Sequence, residues 1–395
     1  MSALTRDKLG PNTALTLPLL GFFLAASLQV ATPILSLFIY ETYRLTLGEV
    51  GYMLSIYYAA TFLSAIPIGI LVTSRMAYPA LIAGFLVMFA GYLAFAFSPT
   101  PLIFMIISIF HGFGVAVTRA TQISSVTLQP LRNDTVVQMR NYTTLLGVGF
   151  TAGPGIGIVS VALLGVRFSL VVAAIVALLG ALLALKTRSR SSGHVIPKQA
   201  SVSKADLFNV MKNKQVFTAT LLLFTLSGIS SVIAVYAPIY AKESFGLPSA
   251  TVVALFFGLA ATASASRLLI GKTLTREKLI ALTILSLIAA SFGLLAVAHA
   301  TFLLVFATGF LLLGFQQGLL VPLGALVIAG HTSRSQRVMG NSVGFGGQDL
   351  GRFIGPLIAT LGVSAIGIPS TLSFYALVPI LVLAFVMAVR MKPNP

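Results

Sequence analysis

The sequence predicts an all-α membrane protein, with twelve transmembrane helices in two pseudo-symmetric six-helix bundles and both termini cytoplasmic. Three observations carry this. Of 395 residues, 57% are hydrophobic and only 8% charged, and mean hydropathy is +1.00; a water-soluble globule of that size could not be covered by so little polar surface. A span needs about 20 mostly apolar residues to cross about 30 Å of hydrocarbon, and cutting the chain at charges, prolines and polar clusters leaves twelve such runs. With both termini inside, lysine and arginine gather on the inner segments, and the outer loops hold only Arg44, Arg167 and Lys242, as the positive-inside rule demands.

The first run, 13–40, follows a short polar segment and is too long for a signal-peptide core, so it is read as a retained span. Glu41 and Arg44 separate it from 48–73, Arg75 separates that from 78–98, and the "SPTP" turn introduces 102–128. Runs 138–163 and 168–186 lie either side of Arg167. The long hydrophilic segment "KTRSRSSGHVIPKQASVSKADLFNVMKNKQ" follows, read as a cytoplasmic linker (188–214) between an N-terminal half (1–187) and a C-terminal half (215–395). Within it, "SKADLFNVMKNK" sets Leu207, Phe208, Val210 and Met211 among Lys204, Lys212 and Lys214, the pattern of a short helix on the membrane surface. The second half repeats the scheme with runs 216–240, 248–270, 279–298, 301–329, 338–363 and 370–389.

Several function classes fall away on composition. With no cysteine there is no disulfide or thiolate chemistry. The four histidines are dispersed and most of the eight acids fall in loops, so neither a metal site, a cofactor nor an enzyme centre is expected. The formal net charge of +17 needs no nucleic acid, because anionic headgroups beside the inner segments suffice.

The chain repeats itself at a constant offset of 202 residues. Glu41 falls on Glu243, Gly69 on Gly271, Gly91 on Gly293, Gly112 and Phe113 on Gly314 and Phe315, Gly149 on Gly351, and Gly153 with Pro154 on Gly355 with Pro356. Halves of equal topology in parallel orientation are a common plan of transporter folds. Gly149, Gly153 and Gly157 form one helical stripe, and Gly344, Gly347, Gly351 and Gly355 another. Small residues let helix backbones approach closely in lipid, and Pro154 and Pro356 each remove a backbone bond and bend the helix. The stripes are either a hinge between moving parts or a static seam.

Four segments resemble the major facilitator superfamily, and the resemblance covers essentially the whole chain. "GILVTSRMAYPALI" keeps Gly69 and Arg75 of that family's G-x-x-x-D-R-x-G-R-R loop, with Thr73 in place of the acid; "RLLIGKTLTREKLI" keeps Gly271, Lys272 and Arg276, with Thr275 in that place. "SIFHGFGVAVTRA" is similar to R-x-x-Q-G-x-G, with Ser108 and His111 in the first two named places. "GFTAGPGIGI" resembles the G-x-x-x-G-P-x-x-G-G segment of proton-coupled drug antiporters, losing only the last glycine to Ile158.

The resemblance implies alternating access by rocking halves. It also implies that spans one, four, seven and ten line the substrate cavity, and that spans five and eleven pack against the opposite half. Candidate cavity residues are therefore Gln29, His111, Arg119, Ser230, Ser231, Tyr236, Gln316 and Gln317. Asp349 is the acid placed within a span, about 16 Å in from Val338, where charge is tolerated mainly for function; it either loads a proton or pairs locally with Arg352. His111, about 13 Å below the outer end of its span, either titrates or is a packing residue. Arg119 snorkels to the inner surface or points into the cavity, where it and Arg267 with Arg352 outweigh Asp349 and favour an anionic or neutral ligand.

The sequence thus predicts a secondary transporter in a cell membrane, of prokaryotic inner-membrane type, acting as a monomer on a small organic substrate. Proton-coupled efflux of an amphiphilic compound is the first expectation. A facilitator or proton symporter for an organic anion or sugar is the alternative.

Overall fold

The computed structural model describes residues 16–71, 76–127, 134–188, 210–271, 275–332 and 336–389. Their regular structure is helical: α1 (Thr16–Tyr43), α2 (Leu47–Leu71), α3 (Ala77–Ala96), α4 (Pro101–Thr127), α5 (Asp134–Arg188), α6 (Lys214–Phe245), α7 (Ser249–Ser266), a 3-10 turn (Arg267–Leu269), α8 (Arg276–His299), α9 (Leu303–Gly330), α10 (Arg337–Tyr375) and α11 (Leu377–Val389). In hydrocarbon every backbone polar group needs an internal partner, which selects helices. Hydroxyls inside them are satisfied the same way, with Ser108 and Thr118 donating to the carbonyls of Phe104 and Gly114 at 2.9 and 2.8 Å.

Helix ends follow local chemistry. The Asn213 side chain accepts from the amides of Gln215 and Val216 to cap α6, and Thr275 accepts from Lys278 to cap α8. Gly246 closes α6 in the left-handed conformation. Of the expected surface helix in the linker, Val210–Lys212 is helical and the preceding part lies outside the described residues.

Among the described residues nine helices are long and apolar enough to cross a membrane, and two of these segments, Asn141–Thr187 and Met339–Val389, run for 47 and 51 residues. At about 1.5 Å per residue each exceeds twice the hydrocarbon thickness. The loops expected at 164–167 and 364–369 shrink to single-residue breaks: Gly165 has φ 80 and ψ 173 in α5, and Gly367 has φ 79 and ψ 171 in α10. That region of backbone space is open essentially to glycine alone. The two breaks are themselves 202 residues apart, so the repeat extends to backbone conformation.

Packing repeats as well. In the first half α1 lies along α5, α2 against α4, and α3 against α4 and α5; in the second, α6 lies along α10, α7 against α9, and α8 against α9. The glycine stripes make the α1–α5 and α6–α10 contacts. A methyl group built on Gly149 would meet the Phe22 carbonyl at 2.5 Å, and one on Gly351 would collide with the carbonyl of Phe224, the residue 202 positions on from Phe22. Gly153 meets the Ala26 carbonyl at 2.8 Å, and Gly355 the Gly228 carbonyl at 2.6 Å.

These contacts correct one expectation. Helices α5 and α10 do pack on α7 and α2 of the other half, but Gly149, Gly153, Gly344, Gly347, Gly351 and Gly355 face helices of their own half. Small residues are spent where two long helices run together over many turns, and that pairing is internal to each half. Gly157, beside both Val30 and Val253, reaches the junction.

Candidate functional site

Asp349 is buried, with its side chain 7% exposed, and is held by two arginines. Arg119, from α4 of the first half, donates through Nη2 to Oδ2; Arg352, one turn on along α10, donates through Nη1 to Oδ1 at 3.3 Å. The arginine side chains keep more access than that of the acid, 23% for Arg119 and 31% for Arg352. The resulting clamp joins the halves and carries two positive charges against one negative. Tyr57 and Tyr58 on α2 stand within electrostatic reach of Arg352, and Phe62 stacks on Phe353 at 6.5 Å between ring centres. Basic and aromatic groups from α2, α4 and α10 therefore converge between the halves.

Position along α10 explains why an acid survives there. The glycine stripe presses one face of the helix onto α6, and Asp349 lies off that stripe, toward the first half. Local pairing with Arg352 and loading of a proton were the two readings of Asp349 that the sequence left open. The pairing with Arg119, 230 residues away, was not, because the sequence showed the depth of Arg119 and nothing of its direction.

Arg267 sits on the 3-10 turn after α7, against Gly147 of α5, where an added methyl group would lie 2.6 Å from its Nη1. Among the described residues it has no acidic partner. One turn above, Thr151 and Ser264 share a hydrogen bond of 2.9 Å across the same α5–α7 junction.

His111 departs from the expected cavity lining. It is fully buried inside the first half, boxed by Tyr57, Tyr92 and Phe95 at ring-centre distances of 5.5, 4.3 and 5.2 Å and set against Gly91. Neither ring nitrogen has a partner among the described residues. Aromatic neighbours on α2 and α3 enclose it because Gly91 leaves room for the ring.

The remaining candidates separate by place. Tyr236 is buried on α6, its hydroxyl 2.9 Å from Thr360 Oγ1, and both press on Gly51 of α2, so it belongs to an inter-half junction nearer the predicted outer end. Ser231 donates to the Gly228 carbonyl within its own helix, while Ser230 is half-buried. Gln316 is buried on α9 with its Nε2 unpartnered, and Gln317 is half-buried beside it. Gln29 is half-buried and packs its Cβ on Gly153. Pro154 and Pro356 are buried within α5 and α10. Gly271 takes a positive φ of 68 after α7, and Arg276 opens α8 exposed. Gly69 lies in α2, and Arg75 falls outside the described residues.

At the predicted outer end the halves are joined by a pair of contacts that only the repeated Glu41 and Glu243 hinted at. Tyr40 donates its hydroxyl to Glu243, and Lys242 donates to Glu41. Positions 40 and 41 of α1 correspond by the repeat to 242 and 243 of α6, so the pairs are reciprocal: each half gives one donor and one carboxylate.

Residues 17–316 match the family model described as Major Facilitator Superfamily. None of the curated proteins matches the sequence. Among solved structures, the nucleoside transporter NupG superposes with a TM-score of 0.76 at 14% identity, over 96% of this chain and 99% of that one. A bacterial homologue of the human lysosomal transporter Spinster gives 0.77 at 12% identity, over 97% and 98%. The human organic anion transporter MFSD10 gives 0.67 at 16% identity, over 95% and 99%.

Proposed function

The chain belongs to the major facilitator superfamily, a family of transporters rather than enzymes, and on that premise we propose that it moves a small organic anion across a cell membrane by alternating access. The observation that carries this is the clamp of Arg119 and Arg352 on Asp349. Two arginine side chains, each partly exposed, held by one buried carboxylate leave an uncompensated positive charge between the halves. Charge at that depth is costly, and a bound anion offsets it. The aromatic groups of α2 and α10 beside the clamp suit an anion with an apolar or aromatic body.

Twelve crossings follow if α2 spans the membrane in addition to the nine long apolar segments and Gly165 and Gly367 mark the returns of α5 and α10, and both termini then face the cytoplasm. The halves 1–187 and 215–395 rock about the α2–α10 and α5–α7 junctions, the protein works as a monomer, and the membrane is the inner membrane of a prokaryote.

Proton-coupled export of an amphiphilic drug is the second reading, supported by "GFTAGPGIGI" in α5. Its Gly149 and Gly153 are also accounted for by packing on α1, and the surplus of arginine sits against a cationic substrate. Reconstituted protein preloaded with unlabelled carboxylates, and tested for counterflow of labelled ones, separates the two. Counterflow by an aromatic monocarboxylate that Arg119→Gln and Arg352→Gln each reduce at least tenfold is expected. Counterflow by organic cations alone overturns the anion reading.

A further inference from the structure

We propose that the inner end of the α5–α7 junction binds the phosphate of an anionic phospholipid from the inner leaflet, with Arg267 as its principal contact. The two junctions between the halves are built on corresponding positions and filled with opposite chemistry. On α2 and α10, Phe62 stacks on Phe353. The residues 202 positions from them are Ser264 on α7 and Thr151 on α5, whose hydroxyls share a hydrogen bond of 2.9 Å. On α10 the buried acid of the clamp is Asp349, and its counterpart on α5 is Gly147. Arg267, whose own counterpart on α2 is Ala65, leans into the space that this glycine leaves, with Nη1 2.6 Å from where a methyl group would stand. Around α2 and α10 the chain thus supplies an anion with its cations. At the α5–α7 junction it supplies a cation alone.

Among the described residues no acid answers that charge. Glu41, Glu49 and Glu243 lie at the predicted outer end, Asp349 belongs to the clamp, and Glu277 is exposed in the first turn of α8. Asp134 opens α5 about 20 Å before Gly147 along the helix, and Asp7 and Asp206 lie outside the described residues. Position selects a lipid as the source of the anion. The 18 residues of α7 cover about 27 Å, so Arg267 stands at the inner edge of the hydrocarbon, where an unpaired guanidinium is costly and its stem reaches the phosphate level. Leu268 and Leu269 on the same turn are 82% and 47% exposed, a surface suited to acyl chains. Exposed Thr144, one turn before Gly147, adds a hydroxyl from the first half. From the second half Lys278 folds back until its Nζ is 3.2 Å from a methyl group built on Gly271, and Arg276 is exposed nearby. Polar groups of both halves therefore flank Arg267, and a phosphate held there bridges the halves at the inner end. Arg267, Arg276 and Lys278 outweigh Glu277, which favours an anionic headgroup over a zwitterionic one.

The chain has no tryptophan, so Leu268→Trp places a single fluorophore on the turn, and a brominated lipid quenches it on contact. The protein is reconstituted in phosphatidylcholine vesicles carrying a minor share of either brominated phosphatidylglycerol or brominated phosphatidylcholine. About a fivefold preference for phosphatidylglycerol is expected, the effect of one arginine near the surface. Arg267→Gln in this background is expected to abolish most of the preference, whereas Arg276→Gln, which removes the same charge from the exposed start of α8, keeps most of it. Equal quenching by the two lipids overturns the proposal. So does equal loss in the two variants, which makes the attraction one of diffuse surface charge. Where Arg267→Gln does not fold, Leu185→Trp decides instead: it lies 52% exposed beside Lys186 at the inner end of α5, and a preference there as large as at Leu268 overturns the site. Inorganic phosphate, at ionic strength matched with chloride, is expected to leave the lipid preference intact. Relief of quenching by phosphate and not by chloride assigns the site to the free ion and overturns the lipid as its occupant.

Discussion

Reciprocal contacts at the predicted outer end make a measurable statement about gating. Glu41 and Lys242 are 33% and 38% exposed at the side chain, so their pair belongs to the exposed class, each worth about 0.2–1 kcal/mol. Tyr40 with Glu243 doubles the latch, giving about 0.4–2 kcal/mol in favour of the outward-closed state, or about a 2- to 30-fold bias in population. Replacing both acids, Glu41→Gln and Glu243→Gln, removes the charges and preserves side-chain shape. Because the chain has no cysteine, one introduced thiol reports without background, and Thr360→Cys puts it at the buried junction of Tyr236 with Gly51. With a membrane-impermeant maleimide added from outside, the double variant is expected to label 2- to 30-fold faster than the latched control carrying Thr360→Cys alone, and 1 M salt to speed that control while leaving the variant unchanged. Equal labelling rates in low salt refute the latch; slower labelling of the variant refutes its direction.

Three further outcomes follow from packing. Gly351→Ala drives a methyl group into the Phe224 carbonyl, whereas Gly155→Ala meets only Phe257 at 3.5 Å; the first is expected to cost about 1–3 kcal/mol in a detergent melt and the second to melt as the wild type. Gly165→Ala finds nothing within 4 Å of the new methyl group, so its expected loss of about 1–3 kcal/mol is backbone strain alone; an unchanged melting temperature would show that the break relaxes. His111→Phe exchanges two unpaired buried nitrogens for carbon, and is expected to leave counterflow and its pH profile unchanged with no loss of thermal stability. A flattened pH profile would return His111 to the mechanism.

Much of the fold was legible because the membrane enforces it. Apolar length and basic loops located the helices, and a constant offset paired the halves down to Gly153 and Pro154 with Gly355 and Pro356. Geometry decided what periodicity could not: Gly149 and Gly351 each stand on a glycine stripe legible in sequence, but which helix fills each stripe depends on three-dimensional neighbours. The site divides in the same way. Asp349 stood out as a charge in an apolar run. Its pairing with Arg119 did not, although Arg119 was itself a cavity candidate, because an arginine near the inner end of a helix also has an ordinary snorkelling explanation and a contact across 230 residues leaves no local pattern. His111 misled because a polar residue at mid-depth signals function only if it faces a cavity, and Gly91 had instead made room for it among aromatic rings.

The repeat also says where chemistry was added to a symmetric scaffold. Gly165 and Gly367, the stripe contacts of Gly149 and Gly351, and the reciprocal latch all occur twice. Gly112 likewise meets the Tyr57 carbonyl as Gly314 meets that of Leu259, 202 residues on. The clamp occurs once. At the positions equivalent to Arg119, Asp349 and Arg352 stand Val321, Gly147 and Phe150, which cannot form an ion pair, and the glycine among them leaves space that Arg267 fills. Two identical halves would present a bound ligand with the same groups on both sides. Here the first half contributes one cation and the second contributes a cation with its counter-ion, so the three charges of the clamp meet only when the halves do. Loosening the clamp should therefore affect occupancy and inter-half movement together, whereas loosening the latch at Glu41 and Glu243 should affect movement alone.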